Sequence, residues 1–287
     1  MSFAHKKSTG GQSRYASFFF FIQRPNVAPL LVIAVAILAY SNTLHGPFVF
    51  DDTHNIAENP LIKDLGYFTD SHAVDNSTAE KVMKDSVKSR LFGFLSLALN
   101  YRLGGLDVTG YHVFNITVHV INALLVYWLI LLTLTAPCHA KPQTRHNSIA
   151  LLCALVFVAH PVQTAAVTYV IQRFASQATL FYLLSLALYI RSRLTESSGT
   201  RYATYLLSLL SAVIAMKTKE TAFTLPLIIT LYEFFFFRGR LRTRLVCLVP
   251  IALTMPVIPM AHIGEVDSAS GLSMIDEGMR VTGYKGI

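Results

Sequence analysis

APLLVIAVAILAYSNTLHGPFVFDD, residues 28–52, runs from an apolar stretch (28–44) to two adjacent aspartates across a very short connection. The apolar stretch is just long enough to cross the roughly 30 Å hydrocarbon core of a bilayer as a helix. Carboxylates are costly to desolvate where a chain leaves hydrocarbon, so Asp51 and Asp52 mark a candidate site at a membrane surface. The rest of the chain can be read as walls around that point.

Composition supports a bilayer as the solvent. With 53% hydrophobic and 14% charged residues over 287 positions, the chain is too apolar for an ordinary soluble domain. The net charge of +8 would point a soluble protein towards nucleic acid. Here the cations lie mostly in short connections between apolar runs, so membrane topology explains them and no nucleic-acid partner is expected. Cys138, Cys153 and Cys247 form no CxxC pair, and two of them fall inside apolar runs, so neither a disulfide framework nor a zinc site is expected.

Outward from residue 52, the pattern predicts an all-α integral membrane protein of about seven transmembrane helices. A basic tail (1–27) precedes the first span at 28–44. A long polar loop (45–112) follows, with residues 79–100 changing from charged to apolar as a helix lying along the interface would. Further spans are expected at 113–135, at 149–159 ending near His160-Pro161, and at 174–190, 202–216 and 222–237. The last, 245–263, is interrupted by Pro250, Pro256 and Pro259. Residues 264–287 form a polar tail. In the second span Asn115, His119 and Asn122 share one helical face, which should point into the bundle.

Charge asymmetry sets the orientation. With the N-terminus cytoplasmic, the tail, 136–148, 191–201 and 238–244 hold 13 of the 24 lysines and arginines in little sequence. The long loop, residues 160–173, the turn Lys217 to Glu220 and the C-terminal tail then share the exoplasmic or luminal face. Chemistry on that face needs a base, a cradle for an anion and an apolar groove if the anion belongs to a lipid. Asp51 and Asp52 offer the base, and Arg90, Arg173 and Lys219 offer cations. Asp also favours helix starts and turns, so capping and catalysis are both open for the aspartate pair. For Arg173 and Lys219, each taken singly, interfacial snorkelling is the simpler reading. His160 reads as a helix-end residue. His112 and His119 read as bundle-facing hydrogen-bond partners, too far apart for a shared metal without a third ligand. Asn76-Ser77-Thr78 matches a glycosylation sequon.

Four ordered blocks add a resemblance. FVFDDTHNIAENPLI, LSLALNYRLGGLDVTGYHVFNITVHVINALLVY, ALVFVAHPVQTAAVTYVIQRFASQATLFYLLSLALYIRSR and KTKETAFTLPLIITLYEFFFF resemble the membrane part of the tetratricopeptide-repeat transmembrane family. That family is similar to protein O-mannosyltransferases, within the multispan glycosyltransferases that use lipid-phosphate sugars. The resemblance covers roughly residues 40–237.

The resemblance implies transfer of mannose or another hexose from a polyprenyl phosphate to a hydroxyl of an exported protein. Asp51 would be the base with Asp52 beside it. Arg173 and Lys219, with Arg90 as a third candidate, would hold the lipid phosphate; His160 and Gln163 would line the site, and Glu220 would orient Lys219. No cofactor is required, and a divalent metal has little support. The expected setting is a bacterial inner membrane or the endoplasmic reticulum.

Three differences from the family stand out. Leu91 follows Arg90 where proline is usual, Ala165 stands in HPVQTAAV where glutamate is usual, and no 34-residue helix-pair repeat is found. The chain is expected to correspond to the N-terminal half of the usual molecule. A second functional class is therefore a non-catalytic transferase-like subunit or scaffold that takes its missing helices from a partner chain.

Overall fold

The computed structural model describes residues 27–69, 87–137 and 146–257, and their regular structure is entirely helical. The longer helices are α1 (Val27–Tyr40), α2 (Leu91–Gly104), α3 (Val108–Leu134), α4 (His146–Ala159), α5 (Arg173–Leu194), α6 (Ser198–Met216), α7 (Leu225–Phe236) and α8 (Leu241–Ala252). The sequon at 76–78, Cys138 and the tails at 1–26 and 258–287 lie outside the described residues.

Helix α5 is the centre of the bundle, packed against α3 on one side and α6 on the other, while α1 and α4 close over α3. The α5–α6 contact is close because both helices present small residues. Ser185 Oγ donates to the Ser208 carbonyl and Ser208 Oγ to the Ser185 carbonyl, both at 2.8 Å. Helix α2 approaches α5 just as closely through Gly93, where an added Cβ would lie 2.5 Å from the Phe174 ring.

The expectation of seven spans is corrected. Among the described residues two helical segments are long and apolar enough to cross a membrane, Val108–Leu134 and Val170–Leu194. A third counts if His146–Ala159 and Pro161–Thr168, bent by 49° at His160, form one span. The reasons are local. Helix α1 is 14 residues, about 21 Å at 1.5 Å per residue, before it tightens into a 3₁₀ turn at Ser41–Thr43. The expected 222–237 span is a 3₁₀ turn (Glu220–Thr224) followed by the 12-residue α7, with Pro226 in its first turn. Helix α8 carries Pro250 internally and ends at Ala252, and α6 opens on the polar stretch Ser198, Thr200 and Arg201.

Other expectations hold in outline. The second span starts five residues early because Asp107 caps it, accepting the Thr109 N–H at 3.0 Å. Asn115, His119 and Asn122 are all buried, and each bonds a backbone carbonyl of another segment. Of the helix expected at 79–100, residues 79–86 lie outside the described residues; α2 itself ends at Gly104 and is followed by Gly105, whose φ of 59° suits a residue without a Cβ.

The first part of the long loop is folded rather than extended. Ile56, Leu61 and Ile62 are buried against Phe94, Leu97, Tyr111, Val170 and Phe174. This small core presses residues 48–62 onto the end of the bundle where α5 begins.

Candidate functional site

The chain turns sharply at Phe50, the one non-glycine residue with positive φ (48°) among the described residues. A bulky side chain in that region is unfavourable and persists only where its surroundings hold it. Here the Phe50 ring meets the Tyr169 ring edge-on at 6.2 Å, and the Asp51 N–H donates to Tyr169 Oη at 3.0 Å. A π-helical turn, Thr53–Ala57, follows at once. Such turns are frequent at functional sites.

The turn sends the two aspartates in opposite directions. Asp52 is fully buried; its Oδ1 accepts the Ile171 N–H at 2.8 Å and its Oδ2 the Val49 N–H at 3.2 Å. Burial raises its carboxyl above the usual range, against the backbone N–H groups of Val49, Ile171 and Val170 and nearby His112, which draw it down. Asp51 is exposed. Its backbone is held on both sides, by Tyr169 and by Asn55 Nδ2 at 2.9 Å, and its carboxylate lies beside the Tyr169 hydroxyl. The Asp52 carboxylate does not cap the turn it precedes; it ties that turn to Val49 and to Ile171 instead.

Arg173 is fully buried at the start of α5. Its Nε donates to Asn115 Oδ1 (3.1 Å), Nη1 to Asn100 Oδ1 (2.6 Å) and the Ser96 carbonyl (3.3 Å), and Nη2 to the Tyr111 carbonyl (3.1 Å). The guanidinium also lies over the rings of Phe114 and Tyr111, at 4.6 and 5.3 Å. It ties α2, α3 and α5 together and has no exposed surface to offer a phosphate.

Arg90 and Glu220 form an ion pair, Nε to Oε1 at 2.9 Å, with both side chains about two-fifths exposed. The Phe92 N–H donates to the Lys217 carbonyl at 3.4 Å, so the start of α2 and the 217–220 turn are clamped together. Glu220, expected beside Lys219, forms its ion pair with Arg90. Lys219 is half-buried in the same turn. Beside it a mainly apolar cavity of about 330 Å³ opens between Thr179, Tyr182, Leu183, Thr221 and Ala222. A second, of about 420 Å³, lies next to the Arg173 tie and is lined by Asn100, Leu103, Asp107, Val113 and Phe114.

His160 is exposed and its Nδ1 accepts the Val162 N–H at 3.2 Å, capping the turn Pro161–Gln163. Gln163 is half-buried there. The interactions thus form two groups, Asp51 and Asp52 with residues 169–171, and Arg90 with Glu220. Arg173 connects them, because its acceptors Ser96 and Asn100 lie on the helix that Arg90 opens. Sequence reading missed Tyr169, Phe50 and Asn55, which fix the Asp51 backbone; Tyr169 lies within the VQTAAVTYVIQR stretch between His160 and Arg173. Among the described residues no group of three His, Cys, Asp or Glu side chains is placed to hold a metal ion.

This arrangement holds an exposed carboxylate, that of Asp51, beside the Tyr169 hydroxyl on a backbone fixed from two sides. Comparison with known proteins gives it a context. Over 208 residues, 70% of this chain and 28% of the relative, the sequence is 33% identical to human protein O-mannosyl-transferase TMTC4. It is 30% identical to mouse protein O-mannosyl-transferase TMTC1 over 220 residues, 74% of this chain and 22% of the relative. A Caenorhabditis elegans protein O-mannosyl-transferase matches at 30% over 169 residues, 57% of this chain and 23% of the relative. The chain spans about a quarter of the length of these curated relatives. No protein-family model matches it, and no solved structure does.

Proposed function

Because this chain belongs to the TMTC-like family of protein O-mannosyl-transferases, we propose that it transfers a sugar, mannose or another hexose, from a polyprenyl phosphate to a protein hydroxyl. The observation that carries this reading is the division of labour between the two aspartates: Asp52 is engaged in the fold, and Asp51 is exposed on a fixed backbone.

In the proposed reaction the acceptor oxygen attacks the anomeric carbon and its proton passes to the Asp51 carboxylate. The bond from that carbon to the phosphate oxygen breaks, and polyprenyl phosphate leaves with the electron pair. The departing anion needs cations more than a strong acid. With the Arg173 donors engaged inside the protein, that role falls to Lys219 and to Arg90 across its exposed ion pair. The apolar cavity beside Thr221 and Ala222 has the character needed for the first isoprene units of the donor. No cofactor enters this scheme. On this reading the chain sits in the endoplasmic reticulum, as befits animal relatives, and the distribution of its lysines and arginines supports a cytoplasmic N-terminus with the reacting face luminal.

The test is sugar transfer from radiolabelled polyprenyl-phosphate mannose to endogenous proteins, in membranes containing this chain or its Asp51→Asn variant. Transfer that disappears in a well-inserted variant supports the reading. Equal transfer by both removes Asp51 from the mechanism. Absence of transfer by the wild-type chain with every hexose donor tried supports the non-catalytic subunit instead.

A further inference from the structure

At the end of the bundle away from Arg173, four helix termini converge: the ends of α5 and α7 and the starts of α6 and α8. Side chains bind them together. Arg193 pairs with Glu233 through Nε to Oε2 (3.0 Å) and Nη2 to Oε1 (2.8 Å). Arg244 donates to the Phe237 carbonyl at 2.6 Å and lies over the Phe234 ring. Tyr205 Oη of α6 donates to the Cys247 carbonyl of α8 at 2.7 Å.

Around this knot stand Arg191, Arg201, Arg238, Arg240 and Arg242, all exposed. Arg201 is held over the turn by two bonds to the Thr195 carbonyl. The side chains of Arg238, Arg240 and Arg242 make no hydrogen bond or ion pair among the described residues. Among the described residues the acids nearby do not balance them: Glu233 is buried in its pair with Arg193, which leaves Glu196. All of these cations are arginines, whose planar forks match phosphate oxygens in a way that lysine cannot.

A second feature adjoins this collar. On α8 an apolar stripe begins directly at the arginines: Leu241, Leu245, Val249 and Leu253 are 60, 47, 50 and 69% exposed. They recur every four residues and so share one face. An apolar stripe open to the outside suits hydrocarbon, and arginines at its upper edge then stand at the level of lipid phosphates.

We propose that this arginine collar is a docking surface for anionic phospholipid headgroups in the leaflet it faces. Unpaired guanidinium groups converge at headgroup height above an apolar stripe that fits the acyl chains, so charge and apolar surface complement the same molecule. The collar is independent of Asp51 and of the proposed reaction.

The experiment uses the full chain in nanodiscs of phosphatidylcholine alone or phosphatidylcholine with phosphatidylserine. Retained lipids are read by native mass spectrometry and stability by the thermal midpoint. The wild type is expected to retain phosphatidylserine and to unfold at a higher temperature in the anionic discs. Arg238→Gln/Arg240→Gln/Arg242→Gln is expected to lose both, with affinity falling roughly fivefold per arginine removed. Should the triple variant fail to fold, each single substitution is expected to show a partial loss. The proposal is overturned if the triple variant keeps the full increment. It is also overturned if Lys63→Gln/Arg102→Gln, remote from the collar, removes as much, or if inorganic phosphate in phosphatidylcholine discs reproduces the wild-type shift.

Discussion

Asp52 and Ile171, 119 positions apart, are joined by a 2.8 Å hydrogen bond from the Ile171 amide to the buried carboxylate. This bond pins the turn after the first helix to the start of α5 and so decides where the neighbouring Asp51 stands. A substitution should therefore act differently at the two aspartates. Asp51→Asn is expected to leave abundance and thermal midpoint unchanged while abolishing transfer. Asp52→Asn puts an NH₂ against one of two backbone donors and should cost about 1–3 kcal/mol of stability, with activity lost as a consequence. Parallel measurement of insertion, midpoint and transfer separates them; equal destabilisation by both variants would refute the division.

The same burial gives Asp52 a pH signature. Its folded-state pKa is raised above the unfolded value of roughly 3.9. Its contribution to stability is thus fully present below the unfolded value and lost as pH rises through the folded one. Thermal midpoints of wild type and Asp52→Asn, compared from mild acid to neutrality, should show the wild-type advantage shrinking as pH rises. Parallel curves would mean that the N–H bonds of Val49 and Ile171 fully offset desolvation.

Arg173 is expected to act as a structural tie. Arg173→Met would leave Asn115, Asn100 and the carbonyls of Ser96 and Tyr111 without their shared donor in a buried site. Loss of several hydrogen bonds to a charged group should destabilise by about 3–5 kcal/mol. Arg173→Lys should recover little, because a point charge cannot meet acceptors on three sides. A Lys variant with normal stability and impaired donor binding would instead assign Arg173 to the phosphate.

Parts of this arrangement were legible in the sequence and parts were not, for physical reasons. The aspartate pair stood out because adjacent carboxylates beside an apolar run are unusual, and the buried face of Asn115, His119 and Asn122 followed from helical spacing. The roles of Asp51 and Asp52 could not be separated, because the separation depends on the positive φ of Phe50 and on Tyr169, more than a hundred residues away. Arg173 was readable as a cation at the right place, but its acceptors come from α2 and α3, and no local pattern announces them. Span number was overcounted because apolar composition does not reveal that Glu220–Thr224 winds as a 3₁₀ turn ahead of α7 or that Ser41–Thr43 tightens into another after α1.

Gly93 sets the distance between α2 and α5. Gly93→Ala would place its Cβ 2.5 Å from Phe174 Cδ1 and 2.7 Å from Cε1. The Phe174 ring is buried against Phe94 and has little room to move. Overpacking of this kind typically costs about 1–3 kcal/mol. Phe174→Leu costs stability alone but should partly rescue Gly93→Ala, giving a double variant more stable than the sum of the two losses. Strict additivity in thermal midpoints would show that the helices separate freely.

At the far end of α5, Glu233 is fully buried and receives three donors, two from Arg193 and one from Tyr189 Oη at 3.0 Å. Removing one ion of such a pair leaves the other desolvated and unpaired, which is the costly half of burying charge. Arg193→Leu should therefore lower stability by about 3–5 kcal/mol, because it strands a fully buried carboxylate with the Tyr189 hydroxyl alone. Arg193 is part-exposed and can turn to water once its partner is gone, so Glu233→Leu should cost less. The double variant Arg193→Leu/Glu233→Leu removes both ions at once and should be more stable than Arg193→Leu alone. Thermal midpoints of the three variants in one lipid composition read the comparison directly. A double variant no more stable than Arg193→Leu would mean that the packing of Arg193 over Phe237, and not its charge, holds this end of the bundle.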